Sequence, residues 1–181
     1  MTRLVETLAA AAAAALLAAS AFAQSANEPA ADPSNASPIY GVTIPAGYRD
    51  WKVISVSQLT GKANQLRVEL GNDIAIKAFR DGTRPFPDGA IVAALHWNAE
   101  TPDDNNKILA VLGVQSMIAG APVNVQFMVK DSKKYAASAG WGFADFKDGK
   151  ASDEALHRKC FACHVPAKDR DYVYTSYART P

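Results

Sequence analysis

The sequence predicts an α+β fold: a mainly antiparallel β-sheet with a C-terminal helix carrying a C-x-x-C-H run. Three observations predict it. Val123, Val125, Phe127 and Val129 alternate with Asn124, Gln126, Met128 and Lys130, the period of two that marks a strand. Leu66, Val68 and Leu70 alternate with Arg67 and Glu69 in the same way, as in a half-buried strand. Ser152-Asp153-Glu154 then offers a cap and two acids where a helix dipole favours them, ahead of Cys160-Phe161-Ala162-Cys163-His164.

The elements follow in order. Arg3, an Ala/Leu run over residues 8–19 and the small residues of Ala21-Phe22-Ala23 read as a secretory signal, cleaved before Gln24. Residues 1–23 are therefore expected to be removed and the protein to be periplasmic. Residues 24–39, rich in Ala, Pro, Asn and Ser, read as a disordered tether, and residues 40–181 as one domain. Residues 51–57 are β-branched and unbroken, a first strand. Gly71-Asn72-Asp73 ends the strand around Val68, and Asp73 caps a short helix through Phe79. Asp81-Gly82 and Pro85-Phe86-Pro87-Asp88-Gly89 are turns. Residues 90–97 and 141–146 read as strands, and Asp103-Asp104-Asn105-Asn106 as a solvated loop. Pro166 is expected to stop the last helix.

The formal charge of +1 argues against nucleic acid or an anionic membrane surface as a partner. Beyond the signal, no apolar run is long enough for a membrane anchor.

C-x-x-C-H is the attachment pattern of c-type haem. On a helix, Cys160 and Cys163 share a face, and His164 falls on it one turn beyond Cys160. Two thioethers would clip one porphyrin edge while the imidazole reaches the iron, giving one covalent haem c. A redox C-x-x-C belongs near a βαβ pattern, and none is visible. A structural zinc site wants four ligands, and these are the only two cysteines.

Residues 165–181 contain neither Met nor His, so a sixth iron ligand would come from His96, Met117, Met128 or His157. His157 lies on the proximal side, and both methionines read equally well as core filler. His96 shares a strand face with Ala90, Val92 and Ala94, a shallow surface suited to a flat cofactor.

Phe79-Arg80-Asp81-Gly82, the Pro85-Phe86-Pro87-Asp88-Gly89 turn leading into residues 90–93, residues 127–135, Gly140-Trp141-Gly142-Phe143 and the terminal C-x-x-C-H together resemble the cytochrome P-460 family. The resemblance runs from about Tyr48 onward. It implies a β-rich, commonly dimeric protein with a five-coordinate haem c. One branch cross-links a strand lysine to the porphyrin and oxidises hydroxylamine. The cytochrome c′-beta branch has an apolar, phenylalanine-capped pocket and binds nitric oxide and carbon monoxide.

Counting from the Pro-Asp-Gly turn, that lysine would fall at position 94, where Ala94 stands between Ala93 and Leu95. Lys77 lies before the turn and reads as solvated. No distal carboxylate can be placed to act as a base, since the pocket-facing strand offers Asn124 and Gln126. Phe79, Phe86, Ala94 and His96 are the candidate distal-pocket residues, the two phenylalanines reading equally as core. The resemblance thus points to an open-pocket binder of nitric oxide. Hydroxylamine oxidation with a redox partner protein comes next, then plain electron transfer. Tyr172, Tyr174 and Tyr177 would either cover the haem edge or form an interface.

Overall fold

The structure, a computed structural model, describes residues 33–179. The predicted signal and the first part of the predicted tether lie outside the described residues. Six strands form one antiparallel meander in chain order: β1 (Lys52–Leu59), β2 (Gln65–Gly71), β3 (Ile91–Glu100), β4 (Ile118–Lys130), β5 (Trp141–Lys147) and β6 (Lys150–Ala151). Helix α1 (Asp73–Asp81) follows β2, α2 (Asp103–Leu109) follows β3, and α3 (Glu154–His164) follows the sheet. The α+β class stands, with the C-x-x-C-H run on the C-terminal helix. Among the described residues, no helix is long and apolar enough to cross a membrane.

Each face of the sheet has its own cover. On one face, Leu70, Ala93, Phe127 and Ala144 are register partners across β2 to β5. The chain before β1 packs there through Tyr40, Val42, Ile44, Tyr48 and Trp51. Tyr48 meets Phe127 edge to face at 5.2 Å, a contact that adds about 1 kcal/mol to the area it buries. The other face carries Val92, Met128 and Phe143 in register and is covered by α1, α3 and the chain after α3.

Several expectations change. Residues 33–39, assigned to the tether, are packed: Ser37 is buried and donates to the Phe143 carbonyl at 3.0 Å, and Asn35 accepts from Ala151 N–H at 2.9 Å. The cap of α1 is Asn72, not Asp73. The Asn72 side chain accepts from Ala75 N–H at 3.0 Å and from Ile91 N–H at 3.1 Å, and donates to the Gly89 carbonyl at 2.7 Å. It thereby ties the helix start to the head of β3. Gly82 closes α1 at φ 67°, a left-handed conformation that costs glycine nothing. The Asp103–Asn106 stretch is helical, because two acids sit in its first turn where the dipole favours them. Helix α3 does end at His164, two residues before Pro166, as expected. Pro166 itself stands in the first turn of a following 3-10 helix over Val165–Arg170, where its missing N–H costs no hydrogen bond.

Candidate functional site

Helix α3 begins with Asp153, whose carboxylate accepts from Leu156 N–H at 2.8 Å. One turn in, His157 is completely buried. Its Nδ1–H donates to the Asp153 carbonyl at 2.7 Å, and its Nε2 accepts from Asp145 N–H at 3.1 Å. One ring nitrogen is thus bound to the start of α3 and the other bolts the helix onto β5, which removes His157 from the ligand candidates. Phe161 packs between Phe143 and Tyr172, at 6.4 and 5.3 Å between ring centres.

The opposite side of α3 presents Cys160, Cys163 and His164 to a cavity of about 630 Å³. That volume lies within the usual range for small-molecule and cofactor sites. The cysteines form no disulfide. Burial pushes the Cys160 thiol up to about 11, with Asp145 and Cys163 adding to the effect. A redox C-x-x-C needs the reverse, a thiol with a lowered pKa. His164 Nδ1–H donates to the Tyr172 carbonyl at 2.7 Å, which leaves Nε2 carrying the lone pair. Burial holds this imidazole below its ordinary pKa, so it stays neutral and able to ligate, while the Tyr172 carbonyl partly opposes the shift. Phe143 and Tyr174 flank the ring at 5.0 and 5.3 Å.

The chain after α3 holds this arrangement. Asp171 and Tyr172 both have positive φ, 52° and 64°. Asp171 is pinned there by Lys130 Nζ at 2.9 and 3.0 Å and by Phe86 N–H at 2.7 Å, while its carbonyl accepts from Trp141 Nε1–H at 2.8 Å. Tyr174 donates its hydroxyl to the Cys163 carbonyl at 2.6 Å. Of the three terminal tyrosines, Tyr174 covers the site's edge. Tyr177 instead stacks on Phe79 and accepts from Arg80 at 2.9 Å.

The sheet supplies the facing wall in three rows of register partners, whose side chains share a face. Val92, Met128 and Phe143 form an apolar row. Glu69, Ala94, Gln126 and Asp145 form the next, and Arg67, His96 and Asn124 the third. Ala94 lines the cavity, as the sequence suggests. Phe79 and Phe86 do not. They meet edge to face at 4.9 Å in the core beside Trp141, because α1 carries Phe79 down onto the end of the sheet. His96 lies on the cavity face of β3, 8% exposed, with Nδ1 3.1 Å from Gln65 Oε1. Burial and nearby Arg67 depress its pKa to about 4, against a smaller opposing pull from Asp145. Met128 is in the apolar row, whereas Met117 is exposed beside Gln58.

Sequence reasoning missed a carboxylate. Alternation in β2 suggests that Arg67 and Glu69 face solvent, yet Glu69 is 1% exposed. Period two separates the faces of a strand without saying which face is covered, and here both are. Arg67 Nε lies 2.5 Å from Glu69 Oε1, but neither Glu69 oxygen has a hydrogen bond of normal geometry. His96 Nε2 and Asn124 Oδ1 are likewise buried without partners. Such groups are rare in folded proteins, and these three lie on the sheet face that bears the cavity, beside rather than among the residues that line it. Asp145 contrasts with them: 3% exposed, it accepts from Asn124 at 2.6 Å, Gln126 at 2.9 Å and Ser152.

Two thiols, an imidazole with a free nitrogen and a roomy wall of small and apolar side chains fit a covalently attached haem. Among the described residues, no group of three or more His, Cys, Asp or Glu is arranged to hold a bare metal ion. The family model for cytochrome P460 matches residues 45–175. No curated protein matches the chain.

Proposed function

The chain belongs to the cytochrome P460 family, a family of haem proteins, and on that premise we propose that it is an exported mono-haem c-type cytochrome that binds nitric oxide or a related small nitrogen oxide. Cys160 and Cys163 would hold the single haem through thioethers, and His164 would hold its iron. When bound, the haem supplies an iron centre able to take a small ligand and exchange an electron. The protein's own residues do the rest. The Tyr172 carbonyl fixes the His164 tautomer and the plane of its ring. Val92, Met128 and Phe143 exclude water from one end of the cavity.

The observation that carries this reading is Ala94 on the cavity wall. Its methyl group leaves room for a ligand and cannot form the lysine cross-link of the hydroxylamine-oxidising branch. A specific observation also favours that second reading. Glu69, register partner of Ala94, is a buried carboxylate on the sheet face that bears the cavity, and a carboxylate is the kind of group an acid–base step uses. Electron transfer alone is the weakest reading, since His157 is committed to the fold and Met117 is exposed. Export rests on the N-terminal pattern. A redox partner protein and a homodimer are carried over from the family resemblance.

The test is the optical spectrum of the haem-loaded protein, oxidised and reduced, with and without nitric oxide. A broad high-spin spectrum that responds to the gas, with an ordinary c-haem Soret band, is expected. A strongly red-shifted reduced Soret band would move hydroxylamine oxidation to first place. Sharp low-spin bands indifferent to nitric oxide would sink both readings.

A further inference from the structure

We propose that two copies of this chain associate by exchanging an apolar arm, the excursion between β3 and β4 of each copy lying in an apolar groove on the sheet of the other. The proposal names the surfaces behind the homodimer of the reading above and stands apart from the ligand that the haem cavity takes.

The arm leaves the sheet between Glu100 and Ile118 as α2 and a 3-10 turn over Ala110–Leu112, and neither helix buries a residue. Asn106 fixes its shape from within: the side chain accepts from Ser116 N–H at 2.8 Å and from the Ser116 hydroxyl at 3.2 Å. Ile108, Val111 and Leu112, at helical spacing, are 71%, 86% and 70% exposed. Val114, Met117 and Ile118 continue the exposed run into β4. Apolar side chains scattered singly over a surface need no explanation, but a contiguous run of this kind marks an interaction surface.

The groove is on the same chain. It encloses about 730 Å³ and is walled by Leu95, Trp97, Val125 and Phe146, with Arg49 and Asp148 also on its lining. Leu95 and Val125 are register partners and alternate with Ala94 and Gln126, so the groove opens on the sheet face opposite the haem cavity. The chain before β1 covers part of that face and leaves Leu95, Trp97 and Val125 half-buried among the described residues.

Charge and placement favour a second copy as the occupant. The arm carries Asp103 and Asp104 in the first turn of α2 and Lys107 in the last. The groove offers each an opposite partner, Arg49 for the acids and Asp148 for the lysine. Arg49 is already positioned, its Nε donating to the Tyr48 hydroxyl at 3.1 Å. Trp97 pairs with Pro122 only three residues inside Glu100, so the groove and the base of the arm are neighbours at one end of the sheet. Two copies related by a two-fold axis can then cover each other's groove at once. Each contact occurs twice, as an interface of about 1,600 Å² requires.

The experiment is sedimentation equilibrium of the mature, haem-loaded protein as three chains. These are wild type, an arm variant (Val111→Asp with Leu112→Asp) and a groove variant (Trp97→Glu, or Arg49→Glu if that chain fails to fold). Wild type is expected at twice the chain mass. Each variant should dissociate at least about tenfold more readily, because a carboxylate at the contact loses its water without gaining a partner. An equal mixture of the two variants should regain association, since a mixed pair keeps one intact arm against one intact groove. A monomeric wild type, or variants that show no rescue on mixing, would overturn the proposal. Variants that dimerise as tightly as wild type would also overturn it, while leaving a homodimer built on another face. A monomeric wild type that binds phosphatidylcholine vesicles, when the arm variant does not, would overturn it by assigning the arm to a lipid surface.

Discussion

Asp171 accepts from Lys130 through both carboxylate oxygens, at 2.9 and 3.0 Å, and is followed immediately by the carbonyl that holds His164. Both partners of this ion pair are buried. The pair fixes two consecutive left-handed residues, which would not otherwise hold that conformation. Asp171→Ala would leave Lys130 charged and unpaired in the interior and release the Phe86 N–H. The expected loss is about 3–5 kcal/mol of stability, read by urea unfolding. In the haem-loaded protein the same variant should loosen His164, shifting the iron's spin-state bands. An unchanged unfolding midpoint would mean the pair contributes nothing to this turn.

Covalent attachment makes a direct chemical prediction. Cys160→Ala with Cys163→Ala should yield a chain whose haem is extracted by acidified organic solvent, while wild type retains it and shows the haem mass on the intact chain. Each single variant should keep one thioether. Haem retained in the double variant would rule out these cysteines as the attachment points.

His96 gives a pH dependence with a definite sign. Its folded-state pKa is about 4, against about 6.5 for a free imidazole. Between those values the unfolded chain binds more protons than the native protein. Stability contributed by neutral His96 is therefore complete above about pH 6.5 and is lost as pH falls toward 4. His96→Gln should remove this part of the slope, so that the difference between wild-type and variant melting temperatures changes across that window. A difference independent of pH would show that His96 titrates normally.

Ala94→Lys tests the placement of the cavity wall. The new ammonium would sit opposite Glu69, pair with it and draw its pKa down. The expected readout in the haem-loaded protein is a shifted Soret band, red-shifted in the reduced state where the amine reaches the porphyrin edge. An unchanged Soret band would mean that position 94 does not face the cavity.

The two candidate caps of α1 separate cleanly. Asn72→Ala removes three hydrogen bonds that join α1, the turn at Gly89 and the start of β3. It should cost about 2 kcal/mol, at the upper end for a cap, measured by thermal or urea unfolding. Asp73→Ala, which removes an exposed ion pair with Lys52, should change stability little.

Much was legible from local pattern. Alternation located β2 and β4, and Asp153 with the run to His164 located α3, because strands and helices impose periods of two and 3.6 on any chain that buries one side. The spacing of Cys160, Cys163 and His164 put them together because a helix does so regardless of what surrounds it. Ala94 was placed on the cavity wall by counting along one strand. What local pattern lacked was knowledge of which surfaces are covered. Phe79 and Phe86 could be read as pocket caps or as core, and local pattern could not choose; in the structure they pack together in the core beside Trp141. Glu69 and Arg67 read as solvent-facing because the segments that cover this face lie more than eighty residues later, in α3 and at Val173 to Thr175. The carbonyl that orients His164 belongs to a turn held by Lys130 from β4. The sequence by itself determined the periodic elements and the chemistry carried on one helix. Tertiary structure alone decided which charged groups lost their water, because burial depends on contacts between segments far apart in the chain.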